Sequence, residues 1–236
     1  MNYLEEFKTT KLIVEKVGKY LNNVQIIEIE NEIEKDIKLH LDKEVEQLIV
    51  KELNSKYNYK FLSEESICDK KIAFNELHWI VDPIDGSMNL YKGLDLCSIS
   101  IALYQGSSPI FGVVYNFKKN ELFAGYVGLG AWLNDVKIIK KEFIPDEKAV
   151  LATGIPVGFN YENLLASNLF NRYKKIRMIG SASLSICYVT IGRFDRYYES
   201  GIKIWDVAAA LAICKSLDIP YVCKYIGEFS TITEVL

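Results

Sequence analysis

Apolar residues recur at helical spacing in two stretches near the N-terminus, Leu12, Ile13, Val17 and Leu21, then Val45, Leu48, Ile49 and Leu53, with charged residues between them. Each stretch predicts an amphipathic helix within residues 3–53. Between them, residues 24–34 alternate only in part, which fits a strand or an extended arm whose carboxylates form a solvated edge. Beyond the helices the period shortens. Alternating runs predict strands over 78–81, 97–104, 110–116 and 121–126, the last two joined by the turn Phe117-Lys118-Lys119-Asn120, and together they predict adjacent antiparallel strands. After Pro145 strand and helix alternate: strands over 150–154, 175–178 and 195–199, helices over 161–173 and 183–192, and a strongly apolar helix over 206–217. That alternation predicts a second α/β half. The boundary falls near Glu147, dividing the chain into residues 1–147 and 148–236.

The chain has 236 residues, half of them hydrophobic and a quarter charged, as expected of a globular protein with a substantial core. Its formal charge of −3 leaves no basic footprint, so nucleic acid is disfavoured as a partner. Cys68, Cys97, Cys187, Cys214 and Cys223 are scattered, mostly within apolar runs, and read as reduced core residues. No apolar run is long enough for a membrane span, and the acidic N-terminus lacks a secretory apolar region; the cytoplasm is the expected compartment.

The chemistry concentrates in Asp82-Pro83-Ile84-Asp85-Gly86-Ser87, where an apolar strand runs into two carboxylates, a proline and a glycine. Asp82 and Asp85 are hard oxygen donors of the type Mg²⁺ prefers, three positions apart across a stiffened turn. Gly86 permits close backbone approach to an anion, and Ser87 adds a hydroxyl at the same place.

This segment resembles the signature of the inositol monophosphatase superfamily of Mg²⁺-dependent, lithium-sensitive phosphatases. Two further elements match in order and spacing: Glu64-Glu65-Ser66 upstream and Trp205-Asp206-Val207-Ala208-Ala209-Ala210 downstream. The resemblance runs from about Asp36 to Leu217 and implies a layered αβαβα sandwich of the mixed α/β (α+β) class. It further implies two or three Mg²⁺ ions per site, held by Glu64, Asp82, the Ile84 carbonyl, Asp85 and Asp206. The amides of Gly86 and Ser87 then hold phosphate, and a homodimer is implied. Ser63 stands where the family usually has glycine. Glu65 is an alternative to Glu64, since adjacent carboxylates are not separable by sequence; the motif match favours Glu64. Asp206 opens an apolar helix and also reads as an N-cap.

By the same resemblance Ser87 and Asp42 form the hydroxyl–aspartate pair that orients the attacking water, with Glu64 beside them as a catalytic ligand. Asp42 lacks the threonine of the family's element, and it reads equally as a helix N-cap before Lys43-Glu44-Val45. Glu199 matches a carboxylate that binds a polyol hydroxyl, against the alternative of an exposed loop glutamate, and Ser181 and Ala182 match a backbone segment near the substrate. Asp85 and Asp206 also touch substrate in this reading. His40 reads as a structural or surface residue, and no role is evident for Lys203. The function implied is hydrolysis of a small phosphorylated polyol or sugar, with a 3′(2′),5′-bisphosphate nucleotidase or fructose-1,6-bisphosphatase as alternatives. A different class is a catalytically inactive, metal-binding regulatory subunit, favoured only by the divergent sequence after Leu217.

Overall fold

The computed structural model describes residues 2–25, 27–33, 36–65, 76–155 and 169–236. The two predicted helices form as α1 (Leu4–Asn23) and α2 (His40–Asn54). Val14, Val17, Leu21, Val45, Ile49 and Leu53 face the core, whereas Leu12 and Leu48, which share the helical period, point to solvent. The ambiguous stretch between the helices contains β1 (Ile29–Ile33), which pairs antiparallel with β2 (Asp36–Leu39).

Seven strands form the larger sheet: β3 (Lys60–Ser63), β4 (Leu77–Asp85), β5 (Ser98–Gln105), β6 (Ser108–Asn116), β7 (Glu121–Tyr126), β8 (Gly130–Leu133) and β9 (Val136–Lys137), side by side in that order. Antiparallel pairing from β4 onward matches the pattern of short alternating runs. β3 was not anticipated, and it pairs parallel to β4. On β4, Trp79 and Val81 join the core under α1 and α2 while Ile80 joins the core on the opposite face, as a period of two requires.

The predicted end of this strand at Val81 is wrong: β4 continues through Pro83 to Asp85. The ladder to β5 shifts between Asp82 and Asp85, so three steps on β4 match two on β5. A bulge of this kind accommodates a proline inside a sheet.

The second sheet has the order β11-β10-β12-β14-β13, built from β10 (Val150–Thr153), β11 (Lys175–Arg177), β12 (Arg196–Lys203), β13 (Tyr221–Tyr225) and β14 (Ser230–Val235). β10 pairs parallel with both β11 and β12, and β14 lies antiparallel to β12. The segment after Leu217, to which the sequence pattern assigned no element, therefore fills two positions of this sheet. Glu199 lies within β12 and is buried, not on an exposed loop.

Helices α5 (Ala182–Thr190) and α6 (Ile204–Ser216) lie between the sheets, and nearly every residue of both is buried. Gly112 of β6 lies directly against the backbone of Ala209 on α6, where any side chain would collide with the helix. The order from α1 and α2 through the large sheet, α5 and α6 to the small sheet gives the first four layers of the expected αβαβα sandwich. Most of the predicted helix over 161–173 lies outside the described residues, which hold only α4 (Leu169–Arg172). Cys97, Cys187 and Cys214 are buried free thiols and Cys223 is half-buried; Cys68 lies outside the described residues. No described helix is long and apolar enough to cross a membrane.

Candidate active site

Parallel pairing of β3 with β4 sets Ser63 beside Val81, so the residues that follow them, Glu64 just past β3 and Asp82 on β4, emerge at the same end of the sheet. The N-terminus of α6 delivers Asp206 to the same place. Carboxylate oxygens of Glu64, Asp82 and Asp206 all lie within 4.8 Å of one another. Asp82 is buried, and its carboxyl is pushed well above the usual range by burial and then by the charges of Glu64, Asp85, Asp206 and Asp42. Asp206 is raised by burial, Glu64 and Asp85, against a backbone hydrogen bond from Lys203. Three mutually repelling carboxylates offering only hard oxygen donors fit a divalent cation of the Mg²⁺ type.

Asp206 is the third residue of α6 and not its N-cap. Its Oδ2 accepts from the Lys203 backbone N–H at 3.1 Å. Asp42 has the same placement on α2: the helix starts at His40, and Asp42 Oδ2 accepts from the Leu39 N–H at 2.7 Å. Both acidic residues therefore satisfy the first turn of a helix with one oxygen and leave the other for the site. For Asp42 that second oxygen accepts from the Ser87 hydroxyl at 2.9 Å. Ser87 also lies 3.0 Å from the Ile84 carbonyl, and Ile84 N–H donates to Asp82 at 3.0 Å.

Strand alternation would turn Asp82 and Asp85 to opposite faces; the bulge corrects this by one residue and aims both toward α5 and α6. Asp85 then docks on the N-terminus of α5. It accepts from Ser181 Oγ at 2.6 Å, Ser183 N–H at 2.8 Å, Ala182 N–H at 3.3 Å and the Ser183 hydroxyl. Burial raises its pKa and these donors oppose that rise. Asp85 lies outside the group formed by Glu64, Asp82 and Asp206, and Ser181 and Ala182 direct donors to it.

Gly86 follows with φ +89°, and an added side chain would meet the carbonyls of Leu96 and Gly180 at 2.9 and 3.0 Å. Ser87 begins the short helix α3 (Ser87–Tyr91). The Asn89 amide donates to the carbonyls of Leu96 and Ile179, both at 2.7 Å, tying this turn to the loop before α5.

Glu199 approaches from β12, with its carboxylate against Gly154, where a side chain would displace it. Tyr197 donates its hydroxyl to Glu199 Oε2 at 2.8 Å. Burial pushes Glu199 up to about 7; the Tyr197 hydrogen bond opposes this and the charge of Asp85 adds to it. Lys203 is exposed and donates its ammonium to Ser230 Oγ at 3.0 Å, and His40 is exposed.

Two supporting residues were not singled out from sequence. Asn89 lies inside the signature, and its amide was not assigned a contact. Glu46 follows Asp42 by four residues on α2, a spacing that puts both on one helix face, and it is buried. Glu65, the alternative to Glu64, is outside the three-carboxylate group, and its backbone N–H donates to Glu46 at 3.0 Å.

The inositol monophosphatase family model matches residues 4–217, starting earlier than the resemblance noted from Asp36 and ending at the same leucine. The Nus factor SuhB of Xylella fastidiosa is 31% identical over 218 residues, 89% of this chain and 76% of that protein. The fructose-1,6-bisphosphatase/inositol-1-monophosphatase of Thermotoga maritima is 35% identical over 77% of this chain and 69% of that protein. Among solved structures, a Thermotoga maritima IMPase superposes with a TM-score of 0.83 at 30% identity, covering 98% of this chain and 91% of that one. With the match spanning the whole large sheet and all three acidic elements, the chain belongs to the inositol monophosphatase family.

Proposed function

We propose that this chain is a Mg²⁺-dependent phosphomonoesterase acting on a small phosphorylated polyol or sugar. The observation that carries the reading is the convergence of Glu64, Asp82 and Asp206 beside the Ser87–Asp42 hydrogen bond. Glu64, Asp82, the Ile84 carbonyl and Asp206 would hold the cations, with Asp85 adjoining. Bound there, divalent ions supply a nucleophilic water at neutral pH and offset negative charge on the leaving oxygen.

The protein's own groups do the rest. Asp42, held on one oxygen by Leu39, accepts the Ser87 hydroxyl hydrogen bond on the other, so the Ser87 lone pairs are available to accept from a water. The amides of Gly86 and Ser87 face the phosphate. Glu199 accepts from a hydroxyl of the organic part, and its position on β12 supports reading residues 148–236 as the half that completes the site through Asp206 and reads the substrate, with residues 1–147 carrying the Asp82–Ser87 metal-binding segment. A homodimer, testable by analytical ultracentrifugation, completes the proposal.

The test is phosphate release from a panel of polyol, sugar and nucleotide phosphates with Mg²⁺, with EDTA and with Li⁺. A polyol or sugar monophosphate hydrolysed in Mg²⁺ and not in EDTA is expected. Preference for a nucleotide bisphosphate or fructose-1,6-bisphosphate would move the chain to another branch. Several relatives are named Nus factors, which favours a second reading as a regulatory subunit. That reading gains only if no substrate on the panel is hydrolysed.

A further inference from the structure

Glu64 lies in the chain between two residues, Ser63 and Glu65, that share one hydrogen-bond acceptor. Glu46 Oε2 accepts from the Ser63 hydroxyl, and the same oxygen accepts from the Glu65 backbone N–H at 3.0 Å. Ser63 and Glu46 are both buried, so this acceptor is shielded from competing water. The chain on either side of Glu64 is thereby pinned to α2. That helix is itself immobilised by Val45, Ile49 and Leu53, all with no exposed surface.

We propose that Glu46 is a positioning residue that sets the direction of Glu64 toward Asp82 and Asp206. It does so by clamping Ser63 and Glu65 through a single oxygen. The inference rests on the proposed role of Glu64 as a metal ligand. The hydroxyl half of the clamp requires a side chain at position 63: a glycine there, the residue expected from the motif, would leave only the Glu65 amide. α2 then supports two parts of the site from one face. Asp42 braces Ser87, and Glu46, one turn later, braces Glu64. Residues that orient a metal ligand affect affinity by roughly 10–100-fold when removed.

The experiment measures Mg²⁺ binding directly by titration calorimetry, without substrate, alongside a thermal melt in EDTA. The variants are Glu64→Gln, Glu46→Ala, Glu46→Gln and Ser63→Gly. Glu46→Ala is expected to weaken Mg²⁺ binding about 10–100-fold, and Ser63→Gly to weaken it by a smaller factor. Glu46→Gln should restore most of the affinity, because an amide oxygen accepts from the same two donors. Mg²⁺ affinity unchanged in folded Glu46→Ala, while Glu64→Gln loses it, overturns the positioning role and leaves Glu64 as a ligand. Unchanged affinity in Glu64→Gln instead removes the ligand reading on which the inference rests. Should Glu46→Ala fail to fold, Ser63→Gly decides: wild-type affinity there overturns the clamp.

Discussion

Ser87 and Asp42, 45 residues apart, are joined by a 2.9 Å hydrogen bond from the serine hydroxyl to the aspartate carboxylate. The other carboxylate oxygen of Asp42 is engaged by the Leu39 backbone N–H, so the carboxylate has little rotational freedom. If this pair orients the attacking water, Ser87→Ala should lower kcat by about 10²–10⁴-fold at saturating Mg²⁺, with KM and the melting temperature near wild type. Steady-state kinetics and a thermal melt check this. Near-normal kcat in the folded variant would remove Ser87 from the catalytic pair.

Asp82→Asn separates metal chemistry from folding. The carboxyl pKa of Asp82 is raised in the folded state, so its favourable contribution is present below the unfolded value of 3.8 and is lost as pH rises. At neutral pH in EDTA the variant should therefore melt higher than wild type. In Mg²⁺ the order should reverse, and turnover should fall by several orders of magnitude. A variant that melts lower than wild type in EDTA contradicts the repulsion argument.

Burial pushes Glu199 up to about 7 from an ordinary value of 4.5, so its contribution to folding stability is fully present below about 4.5 and is lost as pH rises through about 7. The shift corresponds to about 3 kcal/mol of pH-dependent stability. Glu199→Gln should remove roughly that amount from the difference in unfolding free energy between pH 4.5 and pH 8, measured by denaturant titration in EDTA. An unchanged pH dependence would show that the carboxylate is not desolvated as described.

The same substitution should discriminate between substrates. Loss of a charged acceptor costs about 1.5–3 kcal/mol for a polyol phosphate whose hydroxyl it binds, seen in kcat/KM. Hydrolysis of an aryl phosphate without that hydroxyl should change little. Equal losses on both substrates would withdraw the assignment of Glu199 as a polyol reader.

Ser183→Ala removes the hydroxyl donor to Asp85 while keeping the Ser183 N–H bond. The expected cost is about 1.5–3 kcal/mol in unfolding free energy, because the acceptor is charged and buried. Unfolding by denaturant measures it, and a change within error would mean that the remaining three donors suffice.

The amino-acid sequence by itself determined the helical periods of α1 and α2, the antiparallel strands from β4 onward, and the acidic segment with its family. Each is a local property: side-chain alternation, turn chemistry, or residue types at fixed spacing. It did not reveal that β4 runs through Pro83, since proline reads as a strand terminator unless a bulge accommodates it. Nor did it reveal β13 and β14, a hairpin that joins the sheet only because β14 pairs with β12 over a long sequence separation. Local spacing left Glu64 and Glu65 equivalent. Only the parallel register of β3 on β4 brings Glu64 beside Asp82, while Glu65 turns its amide to Glu46. Asp42 and Asp206 each read both as a site residue and as an N-cap, and only the tertiary structure showed them as third residues of their helices, each bonded to the N-cap backbone. Strand register, bulge position and helix docking are set by contacts between distant segments, and those contacts decide which carboxylates meet.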